Sequence, residues 1–247
     1  MRSGTGRERG RGVLRPLAAL LFPPERDGPP GGPHGVLPPL LVVLTFVSGL
    51  VDAVSYLGLD HAFVANMTGN VVFLGFALAG DRELSVPATL LALGAFLAGA
   101  LAAGRLLPRG AAERFFGPLV AVQALLVAGA LAGTAGGAGE LVVVALLALG
   151  MGLQNGVVHR LAVPDLTTTV VTRALTGLAA DPWGAASARR LVTVVTLACG
   201  ALAGGLLMLR HGPRWPLLVA VALLAWVAVL GRWKRAELSP PAGSGER

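Results

Sequence analysis

The chain has 247 residues, of which 54% are hydrophobic and only 13% charged. A soluble domain of this size carries roughly twice that share of charge, and the apolar residues come in blocks too long for a water-facing element, so a soluble globular protein is excluded. The net charge of +7 gathers in the two tails, without the aromatic interleaving that a nucleic-acid groove uses for stacking, so no nucleic acid is expected as a partner.

Residues 1–35 read as a disordered, basic, Gly/Pro-rich tail. Their short apolar stretch at 13–22 is broken by Arg15 and Pro16, and no small-residue cleavage site follows, so it is not a signal peptide. A single transmembrane bundle over 36–231 comes next, and a basic tail at 232–247 closes the chain. Within the bundle, six segments are apolar over a length that crosses about 30 Å of hydrocarbon as helix: 36–59, 87–107, 118–134, 141–158, 191–209 and 215–231. Two more, 66–80 and 166–180, are shorter and studded with Thr, Asn and Gly. They read either as full spans or as re-entrant, broken helices. The fold class is therefore an all-α polytopic membrane protein with about six transmembrane helices.

Short stretches recur in the same order along the chain. Gly-Ala-Leu-Ala at 99–102 returns at 200–203, and Leu-Val-Ala-Val at 119–122 returns at 218–221. Gly49 to Asp52 aligns with Gly152 to Asn155, and Thr68 falls opposite Thr172. This marks two halves, about 36–135 and 140–231. Charge placement then separates the topologies. With eight full spans and the N-terminus inside, Arg105, Arg109, Arg114 and Arg160 all lie outside. With six spans and two re-entrant segments they lie inside, and only Arg210 and Arg214 break the positive-inside rule. The second arrangement gives each half an odd number of crossings, so the halves are inverted, as in many secondary transporters. Both termini are then cytoplasmic.

Ionisable and polar side chains inside such a bundle are costly and need a reason. Asp52, deep in the first span, reads as a coupling-ion or proton site; the plain alternative is a carboxylate that bonds nearby backbone and holds helices together. Asn66, Thr68, Gly69 and Asn70 cannot form an ordinary lipid-facing helix. Unwound backbone there must line a cavity or be buried in protein, and a half-helix from Asn70 onward would point its positive end at the membrane centre. The same residues also suit a packing notch. In the second half, the threonines at 167–169 and Thr172 precede Arg173. Arg173 has three uses open to it: pairing with Asp52, binding an anion, or reaching to the surface. Gln154 and Asn155 stand where Val51 and Asp52 stand in the first half, and either complete a polar site or link helices. Gly129/Gly133, Gly152/Gly156 and Gly200/Gly204 are packing pairs, and Trp215 and Trp233 are interfacial anchors. Cys199 is the only cysteine and the four histidines are scattered, so no metal and no cofactor are expected.

The run Leu44-Thr45-Phe46-Val47-Ser48-Gly49-Leu50-Val51-Asp52-Ala53, followed by Phe63-Val64-Ala65-Asn66-Met67-Thr68-Gly69-Asn70, resembles the signature of the YoaK-like family of bacterial inner-membrane proteins. The Thr-rich segment before Leu178-Ala179-Ala180-Asp181 resembles that family's second-half motif. The likeness covers most of residues 38–231. In the family pattern Gly follows the threonine that stands here as Thr172, whereas this chain has Arg173. The family has been likened to sulfate-permease-type anion transporters, so the resemblance implies a transporter-like fold with opposed half-helices and supplies no substrate.

Together these readings point to a secondary transporter or facilitator of a small polar or anionic solute across the bacterial inner membrane. Asp52, Asn66, Thr68, Gly69 and Asn70 would form one side of the site, and Asn155, Thr169, Thr172 and Arg173 the other. The bilayer and the solute are the expected partners. The Gly-rich faces suit contacts within one subunit or in a homo-oligomer. The alternative is a non-transporting membrane scaffold or accessory protein. An enzyme is not expected, because no nucleophile–base pair or phosphate-cradling motif is present.

Overall fold

A computed structural model of the chain describes residues 37–106, 112–163, 168, 169 and 171–238. The described elements are helices: α1 (Leu37–Gly58), α2 (Met67–Leu78), α3 (Val86–Leu106), α4 (Ala112–Gly136), α5 (Glu140–Leu161), α6 (Val171–Ala180), α7 (Ala185–His211) and α8 (Arg214–Leu238). The expected C-terminal tail begins as helix, since α8 continues to Leu238. The N-terminal tail, Arg109, Thr167 and the side chain of Trp233 lie outside the described residues.

Six of these helices are long and apolar enough to cross a membrane, and they coincide with the six expected segments. The chain is an all-α polytopic membrane protein. α2 and α6, with 12 and 10 residues, rise only about 18 and 15 Å and fall short of a span. Pro38, Pro39, Pro87 and Pro216 all sit in first turns, where a missing N–H removes no helical bond. α5 opens on Glu140 and closes on His159 and Arg160, each sign matching the helix dipole. α7 starts six residues before its apolar run, because Ser187 Oγ accepts the Gly184 N–H (3.3 Å) and fixes the start ahead of the polar Arg189–Arg190 pair.

The two halves repeat one packing scheme. Each has the order long, short, long, long, and each first helix packs on the other half's third: α1 on α7, and α5 on α3. At both crossings the backbones touch. A Cβ on Gly49 would collide with the Leu197 carbonyl, and one on Gly200 with the Phe46 carbonyl. A Cβ on Gly152 would likewise meet the Phe96 carbonyl, and one on Gly99 the Leu149 carbonyl. Gly49 and Gly152 are 103 residues apart, and Gly99 and Gly200 are 101 apart, so the sequence repeat is a repeat of contacts. Gly156 and Gly204 complete the two crossings. Gly129 and Gly133 make only ordinary contacts: a Cβ at either would find its nearest neighbours 3.4–3.6 Å away. Other pairings obey the same scheme: α4 on α5 and α8 on α1, α2 on α3 and α6 on α7, with α4 crossing α8; the contact of α7 with α8 is stronger than its first-half counterpart.

The core is Leu40, Leu44 and Leu50 of α1, Leu147 of α5, and Leu217 and Leu224 of α8, all fully buried. Outward-facing Leu97, Leu125, Leu202 and Leu209 are 64–76% exposed. So large an apolar exterior on helices of this length is the surface a bilayer covers.

Candidate functional site

Asp52 lies two turns from the end of α1, and its side chain faces the loop that leads into α2. Its Oδ1 accepts the backbone N–H groups of Val64 (3.0 Å) and Ala65 (2.7 Å). The loop needs that restraint: Asp60 and His61 are both left-handed, with φ of 50° and 54°, a conformation that costs energy in non-glycine residues. Asn70, fully buried on α2, closes the loop from its other side. Its Oδ1 accepts the Phe63 N–H (2.9 Å) and its Nδ2 donates to the Phe63 carbonyl (2.6 Å). The Phe63 ring stacks between Tyr56 and Phe73, with centroids 4.9 and 5.6 Å away.

The expected polar stretch is thus the start of a helix, three residues earlier than expected. α2 begins at Met67, with Asn66 as its N-cap accepting the Gly69 N–H at 3.4 Å. Gly69 leaves room for the Phe63 ring, which a Cβ would meet at 2.8 Å. Thr68 is exposed. Of the five first-half candidates, Asp52 and Asn70 converge on one loop, Asn66 and Gly69 shape the helix start, and Thr68 faces outward.

The second half repeats the arrangement with different chemistry. Asn155 occupies the Asp52 position, 103 residues on. Its Oδ1 accepts the Thr169 hydroxyl (2.7 Å), and its Nδ2 donates to the Met151 carbonyl (2.9 Å) of its own helix. Thr168 and Thr169 lie 104 residues after Val64 and Ala65, so the tether from first helix to loop recurs in place while its acceptor is neutral. Ala174, buried, replaces Asn70. Thr172 and Arg173 are exposed in the first turn of α6. The Thr172 carbonyl accepts the Thr176 hydroxyl at 2.9 Å, the back-bonding that lets a helix carry threonine. Arg173 forms no ion pair with Asp52, whose carboxylate is taken by the loop amides.

A polar chain that sequence reasoning missed in part links α1, α4 and α5. Gln123 of α4 donates from Nε2 to Gln154 Oε1 (2.7 Å). Gln154 Nε2 donates to Ser48 Oγ of α1 (2.9 Å), and Ser48 Oγ donates to the Leu44 carbonyl (3.0 Å). All three side chains are buried, and Gln123 Oε1 has no partner. Gln123 and Gln154 border a narrow crevice lined also by Leu44, Phe116, Leu119, Val120 and Val157, too tight for a water molecule. Gln123 carried the same signal as Asp52, a lone polar residue within an apolar span. Ser48 did not, because a serine can satisfy itself on its own helix.

Six candidate spans, two short helices and a repeated crossing define the class: a polytopic membrane protein built from two like halves. The family model described as "Protein of unknown function (DUF1275)" matches residues 40–230, and the chain belongs to that family. The UPF0700 transmembrane protein YoaK of Bacillus subtilis (strain 168) is 32% identical to it over 149 residues, 58% of this chain. The match spans 65% of that relative's length. No solved structure matches, so the opposed-half-helix plan of the sulfate-permease type rests on the sequence resemblance alone.

Proposed function

We propose that the protein is a secondary carrier or facilitator for a small polar or anionic solute in the bacterial inner membrane, with both termini cytoplasmic. The observation that carries the reading is the pair of short helices, each tethered by a polar residue of its own half's first helix: α2 through Asp52 and α6 through Asn155. Broken helices at corresponding positions of two repeats are where carriers place their sites. Three candidate spans per half make the crossings odd, so the halves are inverted in this proposal. The Ser48–Gln154–Gln123 chain lies between the halves and offers polar groups at the interface along which they would rock. Asp52 acts as a latch: a cation or proton on its carboxylate weakens the two amide bonds and releases the α2 loop. No enzymatic role is proposed.

Scaffolding is the second reading, favoured by one observation, that the Asp52 carboxylate bonds backbone as helix-linking glue would. Proteoliposome flux separates the two. Protein-dependent uptake of small solutes, with a rate that falls in a folded Asp52→Asn variant, is the expected result. A folded protein that moves no solute in a broad panel, with Asp52→Asn lowering only the melting temperature, overturns the carrier reading.

A further inference from the structure

In the first half, the backbone just before the short helix already holds a carboxyl group. The Asp52 carboxylate sits on the amides of Val64 and Ala65, at the positive end of α2. In the second half the equivalent backbone belongs to Thr168 and Thr169, and the carboxylate is gone, replaced by the amide of Asn155. Asn155 does not take over those amides; it accepts the Thr169 hydroxyl instead. Two further changes add groups that favour an anion. Arg173 stands 104 residues after Gly69, placing a cation in the first turn of α6. Thr168, only 1% exposed, has a hydroxyl with no hydrogen-bond partner. Leaving a buried hydroxyl without a partner is unfavourable, so it calls for an acceptor.

We propose that the start of α6 is a binding site for a small carboxylate solute. The solute's carboxylate takes the place that Asp52 fills in the other half, accepting from the Thr168 hydroxyl and the Thr168–Thr169 backbone and pairing with the Arg173 guanidinium. Arg suits this class because its planar fork matches a carboxylate, and a helix N-terminus adds aligned amides and a favourable dipole. The Thr168 hydroxyl is closed to solvent in this conformation, so the ligand reaches it as the start of α6 shifts. The one acid of the preceding loop, Asp165, lies outside the described residues. As a statement about a transported solute the inference rests on the carrier reading; as a statement about binding it does not.

The test is saturation-transfer NMR on the full chain in detergent, with sodium acetate as probe and with chloride and inorganic phosphate as competitors. The expected result is a saturable acetate signal whose affinity falls at least tenfold in Arg173→Gln, in Thr168→Val and in Asn155→Asp, the last by supplying an internal carboxylate that fills the site. Asp165→Asn should leave binding equal or tighter. Melting curves without acetate establish that each variant is folded, and Asn155→Asp decides if Thr168→Val is not. The proposal is overturned by no saturable signal in the folded parent, by unchanged affinity in folded Asn155→Asp, or by chloride displacing acetate as well as acetate itself does. Acetate binding without acetate flux would leave the site standing and count against the carrier. Flux of other solutes without acetate binding would do the reverse.

Discussion

The loops before α2 and α6 occupy equivalent places and solve the same problem with opposite electrostatics. The first is closed on itself: Asp52 takes two amides, Asn70 clasps Phe63 in both directions, and the aromatic rings pack over the result. In the second, the described residues Thr168 and Thr169 are tied to the first helix through a neutral bond from the Thr169 hydroxyl to Asn155, and an unpartnered buried hydroxyl and an exposed cation stand beside it. In the proposed carrier, one architecture keeps a latch in one half and a receptive site in the other, by changing a carboxylate to an amide and a glycine to an arginine.

The sharpest challenge to that equivalence is at the helix crossings, where the largest effects are expected. Gly200→Leu and Gly152→Leu should each abolish folding, because the added atoms have only the facing backbone to enter. The milder Gly200→Ala and Gly152→Ala should each cost about 1–3 kcal/mol, as overpacking does, measured by unfolding in mixed micelles. A neutral result at one site and a large loss at the other would show that the two crossings are not alike.

Next in size are the tethers. Asp52→Ala leaves the amides of Val64 and Ala65 without an acceptor, at about 1–3 kcal/mol for each group left unpaired. Asn155→Ala removes a neutral bond to a side-chain hydroxyl and should cost about 1 kcal/mol. Equal losses would contradict the difference drawn between the loops. Hydrogen exchange should place the Asp52→Ala loss in residues 59–66. Asn70→Leu, which frees both polar groups of Phe63, should fall between these values in the same assay. The smallest effect belongs to Thr68→Val, an exposed position where a change within about 0.5 kcal/mol is expected; a larger loss would mean that Thr68 has a partner in the membrane.

Much of the fold was legible because hydropathy and length alone select membrane helices. The repeat was legible too, since close crossings demand glycine at fixed intervals and so leave a mark in composition. Helix starts were less so. The expected start of 191 for α7 ignored the Gly184–Ser187 cap, and that of 118 for α4 stopped at Pro118, which the helix accommodates as it extends back to Ala112. Asp52 and Asn70 stood out as costly residues, but their convergence on one loop depends on the left-handed turn at Asp60 and His61, residue types that favour such a turn without fixing where it falls. Gln123 went unread because a single amide in an apolar run looks like tolerated noise until its partner, Gln154, is seen on the neighbouring helix.

The account turns on two like halves facing opposite ways, and labelling of single cysteines at Asp81 and Asp181 tests it directly. These residues follow α2 and α6 in corresponding places, and a Cys199→Ser background removes the exposed native thiol. The inverted arrangement predicts that an impermeant reagent added outside intact cells labels position 81 and spares 181. Labelling of both or of neither would put the two sites on one side of the membrane and contradict it.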